Sequence, residues 1–166
     1  QTAAKEYLFN EDKKYFYRGI LFTPEGEQKN AEVDTSSFFG SYFFGLFTEH
    51  SNQITESFKT LTETFLTEDN QVSLPRYTND YYRKTSSNYT GNYWLISSLW
   101  LAQYYISKNE NAKALRILDW VKSTASSAGM LGEQVNPNSG EIIAPSPLAW
   151  SHAEYISTLL DLIACE

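Results

Sequence analysis

The sequence predicts an all-α fold made of consecutive helical hairpins, and three features indicate it. Apolar residues recur every three or four positions in several long segments, which is the period of one helix face. Only a few residues separate the first two of these segments, and such short links join antiparallel neighbouring helices. Long polar loops at 67–90 and 130–147 separate the others, and loops of this length tend to be functional. A chain of 166 residues is expected to form one unit.

The N-terminal third is predicted to hold the less regular elements. Residues 2–8 are expected to form a short helical stub that ends at a turn over residues 10–12. Apolar and polar residues alternate over 15–22, and Pro, Glu and Gly at 24–26 form a turn signal. This pattern predicts a hairpin of short strands within a loop.

Five longer helices are predicted after this hairpin. The first spans 35–47, and the second begins at Ser51, whose hydroxyl is a favourable N-cap. The third spans 94–106, and its apolar residues on nearly all sides indicate burial from several directions. The fourth spans 109–126 and the last spans 148–164. The inner face predicted for the fourth helix consists of Ala114, Leu115, Leu118 and Val121.

Composition narrows the classes of partner. The net charge of −7 argues against a nucleic-acid partner, because phosphate binding requires clustered Lys and Arg. Aromatic residues make up 16% of the chain, and Tyr and Trp suit sugars because they combine an apolar face with a polar group. Cys165 is the single cysteine, is expected to be inert, and cannot form an internal disulfide. With one cysteine a zinc cluster cannot form, and no metal or cofactor is expected. No membrane segment is expected either, since no apolar run approaches about 20 residues.

Glu133 is the first candidate for a chemical role. It stands in the loop before the last helix, between a glycine and Gln134. A loop glutamate is more often a solvated charge than a catalyst, so its position alone leaves both interpretations open.

Two ordered motifs resemble those of the glucoamylase family of glycoside hydrolases. The first contains Gly-Glu-Gln at 132–134, Asn-Pro-Asn-Ser-Gly-Glu at 136–141 and Pro-Leu-Ala-Trp-Ser-His-Ala at 147–153, and it resembles the closing signature of the family. The second contains Pro-Arg-Tyr-Thr-Asn-Asp-Tyr-Tyr at 75–82 and Gly-Asn-Tyr-Trp at 91–94, similar to an Arg-Tyr segment of the family. Two motifs in the same order are more specific than either alone.

The resemblance is close over residues 72–155 and looser over nearly the whole chain. It departs from the family pattern in the eight residues 83–90 and at Tyr93, where the family has Pro. Members of the family fold as an (α/α)6 barrel of twelve helices in six hairpins. The resemblance therefore implies that residues 1–166 are the C-terminal part of such a barrel, truncated at the N-terminus. The missing part would leave apolar edges on the last helix, so the isolated chain is expected to be able to self-associate.

The resemblance also implies the chemistry. Glu133 would be the general base of an inverting, exo-acting hydrolase that releases glucose from α-glucans, and the general acid would lie upstream of Gln1. Inverting enzymes place the acid and the base about 6.5–9.5 Å apart, with a water next to the base. The residues implied to contact the substrate are Arg76, Tyr77, Asp80, Tyr81, Trp94 and Trp150.

Structural alternatives remain for these residues. Arg76 and Asp80 could form an ion pair that fixes their loop, and Trp94 and Tyr81 could simply pack in the core. His152 is expected to be a packed residue hydrogen-bonded to the main chain.

Alternatives also remain for the function. One is a trehalase or a hydrolase of small isomalto-oligosaccharides. Another is a non-catalytic carbohydrate-binding or regulatory barrel that lacks the acid. A helical-repeat interaction domain is disfavoured, because the hairpins share no repeat sequence.

Overall fold

The computed structural model describes residues 2–143 and 145–164, so Cys165 lies outside the described residues. The helices are α1 (Thr2–Tyr7), α2 (Thr35–Phe43), α3 (Asn52–Phe65), α4 (Leu95–Ser107), α5 (Asn111–Ser123) and α6 (Ala149–Ala164). The short strands are β1 (Phe9–Asn10), β2 (Tyr15–Phe16), β3 (Gly19–Thr23), β4 (Gly26–Asn30), β5 (Tyr93–Trp94), β6 (Gln134–Val135) and β7 (Ile142–Ile143). No helix within the described ranges is long and apolar enough to cross a membrane.

Helix α4 lies at the centre and contacts α2, α5 and α6. Its burial is nearly complete, as the apolar residues on all its sides predict. Tyr104 packs its ring against Phe38 of α2 and Phe58 of α3, with centroids 5.0 and 4.6 Å apart. Helix α3 packs on α2, and α5 also packs on α6. The all-α fold of helical hairpins is therefore confirmed.

Two predicted helices are shorter in the structure. Helix α2 ends at Phe43 instead of residue 47, because Gly45 adopts a positive φ of 69° that breaks the helix. Phe47 is still buried, with its ring 5.2 Å from that of Phe16. Helix α5 begins at Asn111 instead of residue 109, because Asn109 also has a positive φ, and it ends at Ser123 instead of residue 126.

The prediction that Leu115 belongs to the inner face of α5 was wrong. Leu115 is 49% exposed, whereas Ile117 is fully buried. Positions 114, 117, 118 and 121 follow the spacing of three, four and seven that places residues on one helix face, and position 115 lies outside this stripe. The other three predicted residues, Ala114, Leu118 and Val121, are buried.

Two hairpins precede α2. The predicted one is confirmed over residues 19–30, since β3 pairs with β4 around the turn that follows Thr23, whereas Tyr15, which the predicted alternation included, lies in β2. In the other, β1 pairs with β2, and the rings of Phe9 and Phe16 meet at 5.2 Å. Strands of two residues are too short to show a period in sequence, so this hairpin was not predicted.

Helix α6 presents an apolar face to solvent, as the sequence predicted for this helix. Ile156, Leu160 and Ile163 are each more than half exposed, and Trp150 at its start is 53% exposed. Patches of this kind on soluble domains mark contact surfaces. Self-association of the isolated chain stays a prediction.

Candidate active site

The two sequence motifs meet at the beginning of α4. The main-chain N–H of Trp94 donates to the carbonyl of Leu74 at 2.8 Å, and Trp94 pairs with Gln134 on its other side. Leu74 is two residues from Arg76, and Gln134 directly follows Glu133. Paired strands lie about 4.8 Å apart, so the two candidate segments flank Trp94 at about one strand spacing each. The tertiary fold thereby brings together motifs that are far apart in sequence.

A chain of buried amides orients Glu133. Its Oε2 accepts a hydrogen bond from Nε2 of Gln134 at 3.0 Å. Gln134 is fully buried, and its Oε1 accepts from Nδ2 of Asn92 at 2.7 Å. Asn92 is 1% exposed and is itself held by the main chain of Thr85, whose N–H donates to its Oδ1 at 3.1 Å. The side chain of Glu133 is therefore partly buried and held by a neutral donor.

The first turn of α6 holds the main chain on the other side of Glu133. The hydroxyl of Ser151 donates to the carbonyl of Gly132 at 2.7 Å. Nε2 of His152 accepts from the N–H of Leu131 at 3.0 Å. His152 is thus a packed residue bound to the main chain, as the sequence predicts. These bonds restrict the position of the main chain next to Glu133.

Gly132 leaves no room for a side chain, and this leads to a prediction. A Cβ at this position would lie 2.4 Å from Cγ2 of Ile142, a methyl attached directly to a β-branched carbon that cannot swing away. We expect Gly132→Ala to lower the free energy of unfolding by about 1–3 kcal/mol and to displace Glu133. Thermal denaturation measures the first effect and kcat/KM of the whole protein the second.

Two further variants control this experiment. Ile142→Ala removes the clashing methyl, so the double variant should lose less stability than the sum of the two single changes. Gly40→Ala in α2 should be tolerated, because its Cβ would meet only ordinary contacts at 3.8 Å. Full stability of Gly132→Ala would contradict the packing described here.

Arg76 and Asp80 form the second half of the site. Nε and Nη2 of Arg76 donate to the two carboxylate oxygens of Asp80 at 2.9 and 2.8 Å. Nη2 also donates to the hydroxyl of Tyr77 at 3.3 Å. The guanidinium carbon lies 4.3 Å from the ring centroid of Trp94 and 5.4 Å from that of Tyr82. The ion pair anticipated from the sequence is thus present inside an aromatic cluster.

The electrostatics of this pair keep Arg76 cationic. Burial by itself lowers the pKa of Arg76, but the hydrogen bonds and the negative charge of Asp80 outweigh it, so the pKa is raised. Asp80 is only 1% exposed, whereas the side chain of Arg76 is 32% exposed. Within the described ranges, no residue accepts a hydrogen bond from Nη1 of Arg76. This nitrogen can therefore donate to a ligand.

Two of the predicted residues lie outside this cluster. Tyr81 is 75% exposed, with Lys84 over its ring at 5.2 Å, and Tyr82 takes its place beside Trp94 with ring centroids 6.0 Å apart. Trp150 instead meets Trp100 edge to face at 6.0 Å. The structure does not bring either of the two predicted residues to Arg76.

Trp150 borders a separate cavity of about 400 Å³ between α2, α4 and α6. Phe39 and Trp100 stack with ring centroids 4.7 Å apart and form much of its wall. Glu154 also lines it, and burial raises the pKa of this carboxyl, opposed by a hydrogen bond from Gln103 at 2.7 Å. An aromatic wall with one carboxyl is a surface that could contact a sugar.

Sequence reasoning missed two charged residues next to Arg76. Arg18 places its guanidinium carbon 3.6 Å from the ring centroid of Tyr77, and its Nε lies 3.2 Å from Oδ2 of Asp34. Asp34 is buried and caps α2, with Oδ1 accepting from the N–H of Ser37 at 2.7 Å. An Asp before Thr35 was a readable N-cap signal. Nothing in the sequence connected Arg18 to it.

The fold and the two motifs are those of a family of glycoside hydrolases. Residues 23–160 match the family model described as glycosyl hydrolases family 15, and the chain belongs to that family. It is 26% identical over 172 residues to an uncharacterized glycosyl hydrolase of Methanocaldococcus jannaschii. The matched region covers 91% of this chain and 26% of that relative. The resemblance stated from the two motifs is therefore confirmed.

Solved structures agree on the fold. A wild-type glycosidase matches with a TM-score of 0.75 at 18% identity, over 97% of this chain and 41% of that chain. A bacterial glucoamylase complexed with acarbose matches with a TM-score of 0.73 at 22% identity, over 92% of this chain and 25% of that chain. The predicted fold class, part of an (α/α)6 barrel, is confirmed. The chain spans less than half the length of each of these relatives.

Proposed function

We propose that the whole protein is an inverting, exo-acting glycoside hydrolase that releases glucose from α-glucosidic bonds, with Glu133 as its general base. The observation that carries this proposal is the position of Glu133, oriented by buried Gln134 beside the Arg76 cluster in a chain of this family. In such a mechanism the base removes a proton from water on the ring face opposite the leaving group.

The surroundings of Glu133 suit that role. Gln134 donates to one oxygen only, and an amide orients a carboxylate without adding a positive charge beside it. The other oxygen can then accept a hydrogen bond from the attacking water.

The remaining predicted residues are proposed to bind the sugar. Nη1 of Arg76 would donate to hydroxyls of the sugar that is cleaved, while Asp80 fixes its guanidinium. The rings of Tyr77 and Tyr81 would pack on the C–H faces of sugar rings. Trp94 is only 5% exposed and would act by holding the guanidinium of Arg76 over its ring. Trp150 would do so from its own cavity. Two similar solved structures support a carbohydrate ligand. One is a glycosidase in complex with glucose, and the other is a bacterial glucoamylase complexed with acarbose.

The general acid is proposed to lie in the whole protein upstream of Gln1. Both oxygens of Asp80 accept hydrogen bonds from Arg76, and Asp34 is engaged by Arg18 and by its own helix. Neither carboxyl has a free position from which to give a proton to a leaving group. We therefore expect residues 1–166 alone to turn over no substrate.

The stereochemistry of the product tests this proposal. Direct attack by a water on an α-linked substrate should give β-glucose as the first anomer, as read by proton nuclear magnetic resonance before mutarotation equilibrates the sample. A parallel sample of added α-glucose calibrates the rate of mutarotation. Initial α-glucose would contradict the proposal, because it requires a covalent intermediate. Binding of maltotriose without any hydrolysis would favour the alternative, a carbohydrate-binding barrel without an acid.

A further inference from the structure

A groove lies between the last turn of α3 and the last turn of α5. It consists of two adjoining cavities of about 250 and 350 Å³, and we call it the Tyr89 groove. Thr67, Tyr89 and Tyr93 border both cavities. Phe65 of α3 borders the first, and Trp120 of α5 borders the second. Each cavity is of a size that can hold part of an organic ligand, and together they suit an extended one.

The two tyrosines occupy positions where this chain departs from the family pattern. Tyr89 belongs to residues 83–90, which separate the two halves of the second motif, and Tyr93 stands where the family has Pro. Their rings meet edge to face with centroids 6.1 Å apart. Both residues are partly buried, and so is Trp120. The departures therefore supply partly open aromatic rings that the two motifs do not require.

The groove lies on the opposite side of β5 from the Arg76 cluster. The ring centroid of Trp94 lies 4.3 Å from the guanidinium carbon of Arg76. Tyr93 precedes Trp94 in β5, and successive side chains of a strand point to opposite faces. None of the described residues that line the groove is among those assigned above to catalysis or to the cleaved sugar. The groove is therefore a separate place on the molecule.

Hydrogen bonds fix the turn that forms one wall of the groove. Oδ1 of Asn70 accepts from the N–H and the hydroxyl of Ser73 at 3.0 and 2.7 Å. The main chains of Thr67 and Asn70 bond to each other in both directions, at 2.9 and 3.2 Å. Burial and the nearby Tyr89 raise the pKa of Tyr93, whereas hydrogen bonds with Asn70 and Ser73 lower it. Tyr93 is thus held against a preformed wall, which loses little conformational entropy on binding.

Three polar groups of the groove remain available to a ligand. They are the carboxylate of Asp69, the hydroxyl of Tyr89 and the indole N–H of Trp120. Within the described ranges, no residue forms a hydrogen bond with any of them. The first group accepts, the last donates, and the hydroxyl does both. A sugar can satisfy all three, because its hydroxyls both donate and accept.

The same groups distinguish a neutral sugar from other ligands of aromatic grooves. Proline-rich peptides also dock on Tyr and Trp rings, but proline has no N–H to donate to the carboxylate of Asp69. An anionic polymer is disfavoured, since Asp69 is the single charged residue among the described residues that line the groove. A neutral sugar offers C–H faces to the rings and hydroxyls to the polar groups.

We propose that the Tyr89 groove binds a strand of neutral polysaccharide, apart from the catalytic site, and keeps the protein attached to polymeric substrate. A strand fits better than a single sugar, because the two adjoining cavities can each hold a part of the same chain. Binding in the groove does not depend on Glu133. Only the identity of the bound polymer with the substrate rests on the proposed function.

Affinity electrophoresis of the whole protein tests the binding. Native gels that contain soluble starch should retard the wild type. Tyr89→Ala should raise the dissociation constant derived from the retardation about three- to tenfold, because one stacked ring is lost. Asp69→Ala, a change at an exposed position, should raise it by a similar factor through a lost hydrogen bond. The control is Tyr7→Ala, which removes a tyrosine that is 48% exposed on α1, outside the groove.

Two results of these gels would overturn the proposal. One is an absence of retardation of the wild type by starch. The other is equal retardation of the wild type and both groove variants. Stronger retardation by polygalacturonate than by starch would also overturn it, since the ligand would then be an anion.

A conservative variant and a ratio of rates separate binding from a structural role. Tyr89→Phe keeps the ring and should keep most of the affinity for starch. In Tyr89→Ala, the ratio of kcat/KM for soluble starch to kcat/KM for maltotriose should fall about threefold or more. If Tyr89 only supported its loop, the melting temperature would fall and this ratio would stay unchanged. That outcome would overturn the proposal.

The gels keep this proposal distinguishable from the proposed hydrolysis. A protein that hydrolyses nothing, yet is retarded by starch and less retarded after Tyr89→Ala, would refute the hydrolysis and uphold the groove. A protein that hydrolyses maltotriose, with the same retardation in the wild type and in Tyr89→Ala, would refute the groove and leave the hydrolysis standing.

Discussion

Glu133→Gln in the whole protein is expected to lower kcat by a factor of about a hundred to ten thousand, the usual contribution of general-base catalysis. The KM should stay near the wild-type value, because glutamine has nearly the same size and its oxygen can still accept the hydrogen bond of Gln134. Steady-state release of glucose from maltotriose measures both parameters.

Glu141→Gln provides the control for this experiment. Glu141 belongs to the same loop, is exposed, and accepts a hydrogen bond only from Ser139 among the described side chains. Removing its charge should leave kcat unchanged. Wild-type turnover in Glu133→Gln would refute the assignment of the base, whatever the control shows.

Arg76→Met is expected to lower the free energy of unfolding by about 3–5 kcal/mol, because it leaves a buried carboxylate without its partner. Asp80 is 1% exposed and, among the residues that the structure describes, would keep only the hydrogen bond from the N–H of Tyr82 at 3.1 Å. The substitution of the other partner, Asp80→Asn, should cost less, since Arg76 is 32% exposed and water can reach its unpaired charge. Urea denaturation followed by circular dichroism measures both.

The double variant Arg76→Met, Asp80→Asn decides between the two roles considered for this pair. Removing both charges should recover most of the stability, because no unpaired charge remains and the asparagine oxygen can still accept from Tyr82. The kcat/KM for glucan substrates should remain low if Arg76 also binds sugar. Recovery of activity together with stability would mean that the pair serves only to fix its loop.

The helices were predictable because their signals are local. The apolar residues of the helix predicted at 94–106 and the hydroxyl of Ser51 depend on neighbours within one or two turns, and the structure has a helix at Leu95–Ser107 and an N-cap at Ser51. The errors occurred where a single backbone torsion ends an element. Positive φ values at Gly45 and Asn109 shorten α2 and α5, and no period in the surrounding residues indicates them.

Tyr81 shows the same limit within the site. Asn79 and Arg83 both have positive φ, at 59° and 52°, and they bracket residues 80–82. In such a segment successive side chains follow neither the helix nor the strand period. The choice of Tyr82 over Tyr81 as the partner of Trp94 could therefore not be predicted from their order in the motif.

The sequence by itself determined the all-α class, the order of the long helices and the two motifs that identify the family, because each depends on residues close together in the chain. Only the tertiary structure decided that Arg18 meets Asp34 and Tyr77, and that Asn92 reaches Glu133 through Gln134. These contacts join segments separated by long loops. They are set by which helices pack around α4 and by the hydrogen bonds between loops, and these forces act between residues that sequence patterns do not relate.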